Sequence, residues 1–240
     1  MRLEGARILV VGGSHRVGRA IALDLAGAGA DVAISYHRSR DAATRTTAEI
    51  AELGVRTALR RADAAKPQQM RDLVDQTAAE LGGLNVLVYT PSGGFEPRDA
   101  GDIDEQLWDE SFDSTAKGFM FAAQAAHRQM QGDGGVIVAV TDVAGLQPWP
   151  RFAAHGAAKA ALIHLVKTLA LAWGRDGVRV CGVAPGPVLM PEGVSGDSEE
   201  TALGRLGAPA DVAQAIRYCI EADFVTGQSL VVDGGRLLRP

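Results

Sequence analysis

The stretch Val10-Val11-Gly12-Gly13-Ser14-His15-Arg16-Val17-Gly18-Arg19-Ala20 decides how the rest of the chain is interpreted. An apolar run, residues 8–11, leads into it, and an amphipathic run, residues 20–28, leads out of it. This order predicts a strand, a glycine turn and a helix start, where free backbone N–H groups and the helix dipole favour an anion. Glycine allows a phosphate to approach the backbone because it has no Cβ. The spacing differs from the G-x-G-x-x-G dinucleotide fingerprint, so an ordinary glycine turn remains the alternative.

The composition limits the classes of protein to which the chain can belong. It has 240 residues, 47% of them hydrophobic, which suits one large α/β domain, and no break in the pattern indicates a second. A net charge of −5 without a basic cluster argues against nucleic acid as a partner. No apolar run approaches membrane-spanning length and no signal-peptide pattern is present, so we expect a soluble, cytoplasmic protein without a membrane partner.

Cys181 and Cys219 lie in apolar segments. Their setting favours buried free thiols in a reducing compartment, with a disulfide as the alternative. No Cys/His cluster has the spacing of metal ligands, so we expect no metal site.

Short β-type runs alternate with longer helical patterns along the chain. The strand candidates are residues 7–11, 31–36, 55–60, 86–89, 135–140, 178–183 and 229–232, and the helical patterns are residues 16–29, 40–53, 67–81, 104–130, 152–174 and 209–222. This alternation predicts an α/β fold with a doubly wound, seven-stranded parallel sheet and helices on both faces, a single-domain Rossmann fold over residues 1–240. Ligands in such sheets bind at the carboxyl ends of the strands. Residues 185–209 are expected to form a mobile loop over that edge, with a substrate loop at about 187–208.

The choice of cofactor is indicated by the end of the second strand. NAD sites place a carboxylate there for the ribose 2′-OH, whereas NADP sites place arginine there for the 2′-phosphate. The sequence after this strand is His37-Arg38-Ser39, without an acid, and Arg16 adds positive charge nearby. This pattern predicts NADP(H), with a solvated basic turn as the alternative.

Asp63 follows the third strand. A carboxylate at this place accepts a hydrogen bond from the adenine amine, or it caps the helix that begins near Pro67. Both interpretations remain open.

The C-terminal third carries the most specific pattern. RLGAPADVA at 205–213, TGQ at 226–228, VDGG at 232–235 and VAPGP at 183–187 resemble the signatures of the short-chain dehydrogenase/reductase family. The resemblance runs from about residue 3 to about residue 238. Arg16 in the glycine loop and YHRS at 36–39 resemble the pteridine reductases within that family. The resemblance implies an NAD(P)(H)-dependent oxidoreductase that forms tetramers or dimers.

The resemblance also implies which residues bind the cofactor. They are Gly12, Ser14, His15, Arg16, Val17, Gly18, His37, Arg38, Ser39, Asp63, Ala64, Tyr89, Ser92, Lys159, Pro185, Gly186 and Val188.

The catalytic positions depart from the family pattern. The family uses a tyrosine and a lysine four residues apart on one helix, a serine after the fifth strand and an asparagine in the fourth helix. This chain has His155, Lys159, Asp142 and Thr115 at those positions, so only the lysine is kept. Aspartate at the serine position also resembles pteridine reductases.

His155 is the candidate proton donor. Residues i and i+4 share a helix face, so His155 and Lys159 point into the same region. An ionised Asp142 within reach favours the protonated imidazole, whereas Lys159 disfavours it. We therefore predict that His155 and Asp142 form a proton-donating unit and that Lys159 holds the nicotinamide ribose.

Two aromatic residues, Tyr89 and Trp149, each have two interpretations, and a third has one. Tyr89, at the end of the fourth strand, is either a displaced phenol donor or a packing residue. Trp149 lines the substrate cleft or packs, and Phe95 is a candidate for the wall of that cleft. The apolar faces of residues 104–130 and 152–174 fit either a dimer contact or burial within the monomer.

The sequence predicts an NADPH-dependent reductase of a small carbonyl, quinone or pterin-like substrate, with His155 replacing tyrosine. The alternative is a binding protein that holds NADP(H) without turnover, acting as a sensor or as a partner subunit. A non-redox enzyme, such as a lyase, is a third interpretation. Lys159 and Pro185-Gly186 favour a bound nicotinamide and therefore argue against this third interpretation.

Overall fold

A computed structural model describes residues 1–188 and 201–238. Its seven strands are all parallel and lie in the order β3-β2-β1-β4-β5-β6-β7. They are β1 (Arg7–Val11), β2 (Asp31–Tyr36), β3 (Thr57–Arg61), β4 (Val86–Tyr89), β5 (Gly135–Val140), β6 (Val178–Pro185) and β7 (Ser229–Val232). The order reverses between β1 and β4, which places the ligand-binding crevice of such folds above these two strands. The predicted Rossmann fold is confirmed.

Seven α-helices cover the two faces of the sheet within the described residues. They are α1 (Arg16–Gly27), α2 (Arg40–Glu52), α3 (Pro67–Leu81), α4 (Glu105–Phe112), α5 (Gly118–Met130), α6 (Ala153–Trp173) and α7 (Pro209–Glu221). Alternate strand residues enter different cores: Ile8 packs with α1, α2 and α7, whereas Leu9 packs with α3, α5 and α6. Because helices cover both faces of the sheet, its central strands are buried and apolar. This holds for all of β5 and for β1 after Arg7. The two cysteines are buried and free, as predicted.

Several predicted elements have different bounds in the structure, among them one strand and one helix. The strand predicted at 55–60 is β3, which begins at Thr57 because this residue pairs with Val32. The helix predicted at 104–130 is divided by a π-helical turn, Asp113–Lys117. The Tyr89 hydroxyl donates a hydrogen bond to the backbone oxygen of Ser114 at 2.6 Å, which holds this turn against β4.

The segment Pro150–Asp176, which contains α6, is long and apolar enough to cross a membrane. Its mean hydropathy is 1.2 over the most apolar window, so the prediction that no apolar run approaches this length is wrong. A core helix meets the same criterion, and α6 packs along β6 and α4 with nine buried residues, His155 and Lys159 among them. We therefore interpret α6 as a core helix.

Candidate functional site

The glycine loop closes tightly on the start of α1. Gly12 has a φ of +80°, and a Cβ at Gly18 would overlap the carbonyl oxygen of Gly12. The backbone N–H of Gly12 donates to Oγ of Ser35 at 3.2 Å, which anchors the turn to β2. The two glycines are therefore required where the helix approaches the preceding turn.

The N-terminus of α1 suits an anion. His15 occupies the N-cap without a side-chain capping bond, and the first turn contains no acidic residue. The first backbone N–H groups of a helix and the positive end of its dipole together attract a phosphate. The residues present therefore fit the pyrophosphate of a dinucleotide.

The side chains around this loop differ in exposure. His15 and Arg16 are exposed and Val17 is half-buried, whereas Ser14 is buried with its Oγ 2.7 Å from Nδ1 of His15. Arg16 has a φ of +52°, in the left-handed region that favours glycine. A glycine at this position would avoid that strain, so the arginine is present at a conformational cost.

The end of β2 forms the second part of the cofactor crevice. Ser39 is the N-cap of α2 without a side-chain capping bond, and Arg38 beside it is exposed. Nε2 of His37 lies 3.8 Å from Oδ2 of Asp63, so the structure brings the turns after β2 and β3 together.

Asp63 does not cap α3. Its Oδ1 accepts a hydrogen bond from the N–H of Ala65 at 2.9 Å, and the N-cap of α3 is Lys66. The helix-cap interpretation is therefore wrong, and Asp63 instead shapes a turn in which Ala64 is half-buried. The adenine contact remains a prediction.

Asp142 and His155 meet at the carboxyl end of β5. Nε2 of His155 lies 3.4 Å from Oδ2 of Asp142. Oδ1 of the same carboxylate accepts from the N–H of Ala144 at 2.8 Å, so the backbone of the following turn orients it. The structure thus brings together the two residues predicted to form a proton-donating unit.

Lys159 lies one helical turn after His155 and is 3% exposed. Its Nζ donates to the backbone oxygens of Val140 at 2.9 Å and Thr141 at 3.2 Å. Burial lowers the pKa of Lys159 to about 8, and the Asp142 carboxylate opposes that shift. The ammonium is therefore held against the end of β5 by two carbonyl groups.

His155 is covered by aromatic side chains. It is 3% exposed, and within the described residues its Nδ1 is buried without a hydrogen-bond partner. The ring of Phe95 meets the imidazole edge-on, with 5.0 Å between centroids, and stacks on Phe152 at 4.7 Å. Trp149 contacts Phe152 edge-on, so it belongs to the same aromatic cluster. A shallow crevice, lined among others by Gly94, Leu107 and Arg151, lies beside this cluster.

Thr115 and Tyr89 lie in the interior of the protein. Both are fully buried, and Thr115 is part of the π-helical turn, which packs against α6. The hydroxyl of Tyr89 donates its hydrogen bond to the backbone oxygen of Ser114. The packing interpretation is therefore correct and the phenol-donor interpretation is wrong. Burial also raises the pKa of Tyr89, which disfavours the phenolate. Tyr89 as a cofactor-binding residue stays a prediction, and Ser92, three residues later, is exposed.

The turn after β6 is fixed against β7. The N–H of Gly186 donates to the oxygen of Val232 at 3.0 Å, and a Cβ on Gly186 would lie 2.7 Å from Cβ of Asp233. Pro185 pairs with Val232, and Val188 is buried in the core beneath α7. Of the predicted substrate loop at 187–208, residues 189–200 lie outside the described residues.

Arg61 is a residue of the site that the sequence did not indicate. It ends β3, and its Nε donates to the backbone oxygen of His37 at 3.3 Å. Arg61 and His37 are 24 residues apart in the chain, so only the pairing of β2 with β3 reveals that they are close. Across residues 1–188 and 201–238, no group of three or more His, Cys, Asp or Glu side chains could hold a metal ion.

Comparisons with known proteins agree with this geometry. Residues 12–236 match the family described as enoyl-(acyl carrier protein) reductase. The chain is 37% identical to an L-rhamnose 1-dehydrogenase (NAD(P)(+)) of a Sphingomonas species, over 97% of this chain and 96% of that one. It is 32% identical to a 3-oxoacyl-(acyl-carrier-protein) reductase of Staphylococcus epidermidis, over 95% and 97% of the two chains.

The structural similarity extends over the whole chain. A short chain dehydrogenase from Burkholderia cenocepacia, crystallised in complex with NADP, superposes with a TM-score of 0.94 at 33% identity. The match covers 99% of this chain and 100% of that one. With its parallel sheet, glycine loop and buried lysine, the chain belongs to the short-chain dehydrogenase/reductase family of NAD(P)-dependent oxidoreductases.

Proposed function

We propose that this protein is an NADPH-dependent reductase of a small carbonyl, quinone or pterin-like substrate, in which His155 replaces the usual tyrosine. The observation that carries the proposal is the distance of 3.4 Å between Nε2 of His155 and Oδ2 of Asp142, one helical turn from Lys159. These two side chains are in contact at the carboxyl end of a central strand, where this chemistry requires a proton donor.

The bound nicotinamide supplies hydride, and the protein supplies orientation and a proton. Reduction leaves negative charge on the substrate oxygen, which a positioned donor stabilises. Asp142 engages Nε2 and so orients the imidazole. The other ring nitrogen, Nδ1, has no partner within the described residues, so it is the atom left to donate the proton.

The cofactor preference in this proposal depends on the basic turn after β2. Arg38 and Ser39, with Arg16 from the glycine loop, meet the 2′-phosphate, and Lys159 holds the nicotinamide ribose. The absence of an acid at the tip of β2 and the uncapped start of α2 support NADPH over NADH. The Burkholderia relative was crystallised with NADP.

A second function is favoured by the burial of His155. A donor that is 3% exposed and covered by Phe95 cannot reach a substrate unless the aromatic cluster moves. If the cluster stays closed, the protein binds NADP(H) without turnover, as a sensor or a partner subunit.

We further propose a cytoplasmic dimer or tetramer. Trp108 on α4 and Leu171 on α6 are large apolar side chains that are 45% and 87% exposed. Burial of such side chains between copies of the chain would remove them from water. Light scattering after size-exclusion chromatography would measure the mass, and a monomer at micromolar concentration would contradict the proposal.

The decisive experiment measures NADPH binding and NADPH oxidation on a panel of ketones, quinones and oxidised pterins. His155→Phe and His155→Tyr are compared with the wild type. A reductase that uses His155 loses at least about 100-fold in kcat in the Phe variant, in the range of general acid catalysis. Full turnover by His155→Phe would refute the role of the imidazole. Wild type that binds NADPH without oxidising it, together with a tyrosine variant that gains activity, would establish the second function.

A further inference from the structure

Arg61 lies at the corner of the sheet where the proposed phosphate site is formed. It is paired in register with Tyr36, the last residue of β2, so its Cα lies at the same sheet edge as the turn 37–39. Neighbouring strands lie about 4.8 Å apart, well within the reach of an arginine side chain. The bond from Nε of Arg61 to the oxygen of His37 shows that the side chain turns towards that loop.

The arginines of the β3 region differ in their partners. Arg56, before the strand, is paired with Asp31 at 2.7 Å, and Arg60 is paired with Glu80 at 2.5 Å. Arg61 is exposed, and its recorded side-chain hydrogen bond in the described part of the chain uses Nε alone. The two terminal nitrogens are the part of a guanidinium that binds a phosphate.

The neighbouring carboxylates do not occupy this guanidinium. Asp63 is engaged by His37 and by the N–H of Ala65, and Asp41 lies in the first turn of α2. We propose that Arg61 is a second guanidinium for the 2′-phosphate of the cofactor and that it determines NADPH specificity together with Arg38. This inference rests on the proposed preference for NADPH and adds to it a residue from a different strand.

The test uses two probes that differ by the phosphate in question, adenosine 2′,5′-bisphosphate and adenosine 5′-monophosphate. Isothermal titration calorimetry measures the affinity of the full chain for each probe. Arg61→Gln should weaken binding of the bisphosphate by about tenfold and leave binding of the monophosphate unchanged within about twofold, since a lost charge-assisted contact affects one probe alone. The affinity of Arg61→Lys for the bisphosphate should lie between those of the wild type and Arg61→Gln, because lysine keeps the charge without the planar guanidinium.

Arg56→Gln is the matched control, because it removes the same charge at the opposite end of β3. It should bind both probes as the wild type does. Equal binding of the bisphosphate by wild type and Arg61→Gln would overturn the role of Arg61 and leave the NADPH proposal standing. An equal loss for both probes would also overturn it, since Arg61 would then shape the adenosine pocket. A wild type without preference between the probes would refute the NADPH proposal itself, and this inference with it.

Discussion

Nε2 of His155 lies 3.4 Å from Oδ2 of Asp142, while Oδ1 of that carboxylate accepts a hydrogen bond from the backbone of Ala144. The carboxylate therefore connects the turn after β5 to the first residues of α6. One nitrogen of the imidazole is directed to a fixed partner, and the other is buried without a hydrogen-bond partner among the described residues. A carboxylate in contact with one ring nitrogen also orients the histidine of the Ser-His-Asp triad.

Asp142→Asn should remove the negative charge of this residue and keep its hydrogen bond with Ala144, so that the contribution of the charge can be measured. The asparagine oxygen can still accept from Ala144, but the negative charge of the carboxylate beside Nε2 of His155 is lost. We expect kcat for the NADPH-dependent reduction to fall by about 10- to 100-fold, with NADPH affinity unchanged. Asp113→Asn, which removes an exposed ion pair with Lys117, is the control. A variant that keeps the wild-type kcat would show that the carboxylate does not assist His155.

Phe95→Ala should uncover His155. The phenyl ring covers an imidazole that is 3% exposed, so its removal should speed carbethoxylation of His155 by about tenfold. Diethyl pyrocarbonate labelling with peptide mass spectrometry measures the rate at this one histidine. Phe224, which is fully exposed, provides the control variant Phe224→Ala. Identical rates in wild type and Phe95→Ala would mean that other groups limit access.

Lys159 should leave a signature in the pH dependence of stability. Burial lowers its pKa to about 8 in the folded chain, and the ordinary value is 10.5. Between these values the unfolded chain binds more protons than the folded chain, so the free energy of unfolding gains a contribution that rises with pH, by at most about 1.4 kcal/mol per pH unit. Below pH 8 both states are protonated and this contribution is flat.

Lys159→Met removes the titrating group. Urea unfolding of wild type and variant from about pH 7.5 to about pH 9.5 should give a stability difference that shifts in favour of the wild type as pH rises. If the free energies of unfolding of the two proteins changed in parallel with pH, the lowered pKa of Lys159 would be contradicted.

Arg16→Gly and Arg16→Ala should differ in stability because Arg16 has a φ of +52°. Both variants lose the guanidinium, but only glycine adopts this backbone conformation without strain. The glycine variant should therefore be more stable than the alanine variant by about 1 kcal/mol. Urea unfolding measures the difference, and equal midpoints would show that the turn relaxes in the absence of the arginine.

Gly18→Ala and Gly27→Ala place the same methyl group at two positions of α1. At Gly18 it would overlap the carbonyl oxygen of Gly12, whereas at Gly27 it meets no atom within 4 Å. We expect Gly18→Ala to destabilise the protein by about 2 kcal/mol or more and to weaken NADPH binding. Gly27→Ala should stabilise it by about 0.5 to 1 kcal/mol, since alanine is the better helix former. Thermal unfolding with and without NADPH tests both, and a Gly18→Ala variant as stable as wild type would contradict the close approach.

The sheet is predictable from sequence where a strand is buried on both faces. Residues 86–89 and 135–140 are apolar throughout, and their bounds agree with β4 and β5. The π-helical turn at Asp113–Lys117 is not predictable, because the hydroxyl that holds it comes from Tyr89, 25 residues earlier. Residues 104–130 have helical spacing on both sides of that turn, and local pattern therefore indicates one continuous helix.

The sequence predicts which residues of the candidate site lie together, but it does not predict how far they are exposed to solvent. Spacing along α6 places His155 and Lys159 on one face, and the strand order brings Asp142 to them. The cover provided by Phe95 depends on how the loop after β4 packs on the start of α6, which no local pattern encodes. Arg61 is missed for a similar reason, since only strand pairing brings it to His37.

The pairing of β1 with β4 has a consequence for synthesis of the chain. Val11 pairs with Tyr89, so β1 has an open edge from the time it leaves the ribosome until β4 follows. The two strands made first are apolar along much of their length, and open apolar edges pair readily with other chains. Synthesis that stops between Arg61 and Val86 therefore releases a fragment in which the edge of β1 that later pairs with β4 is exposed.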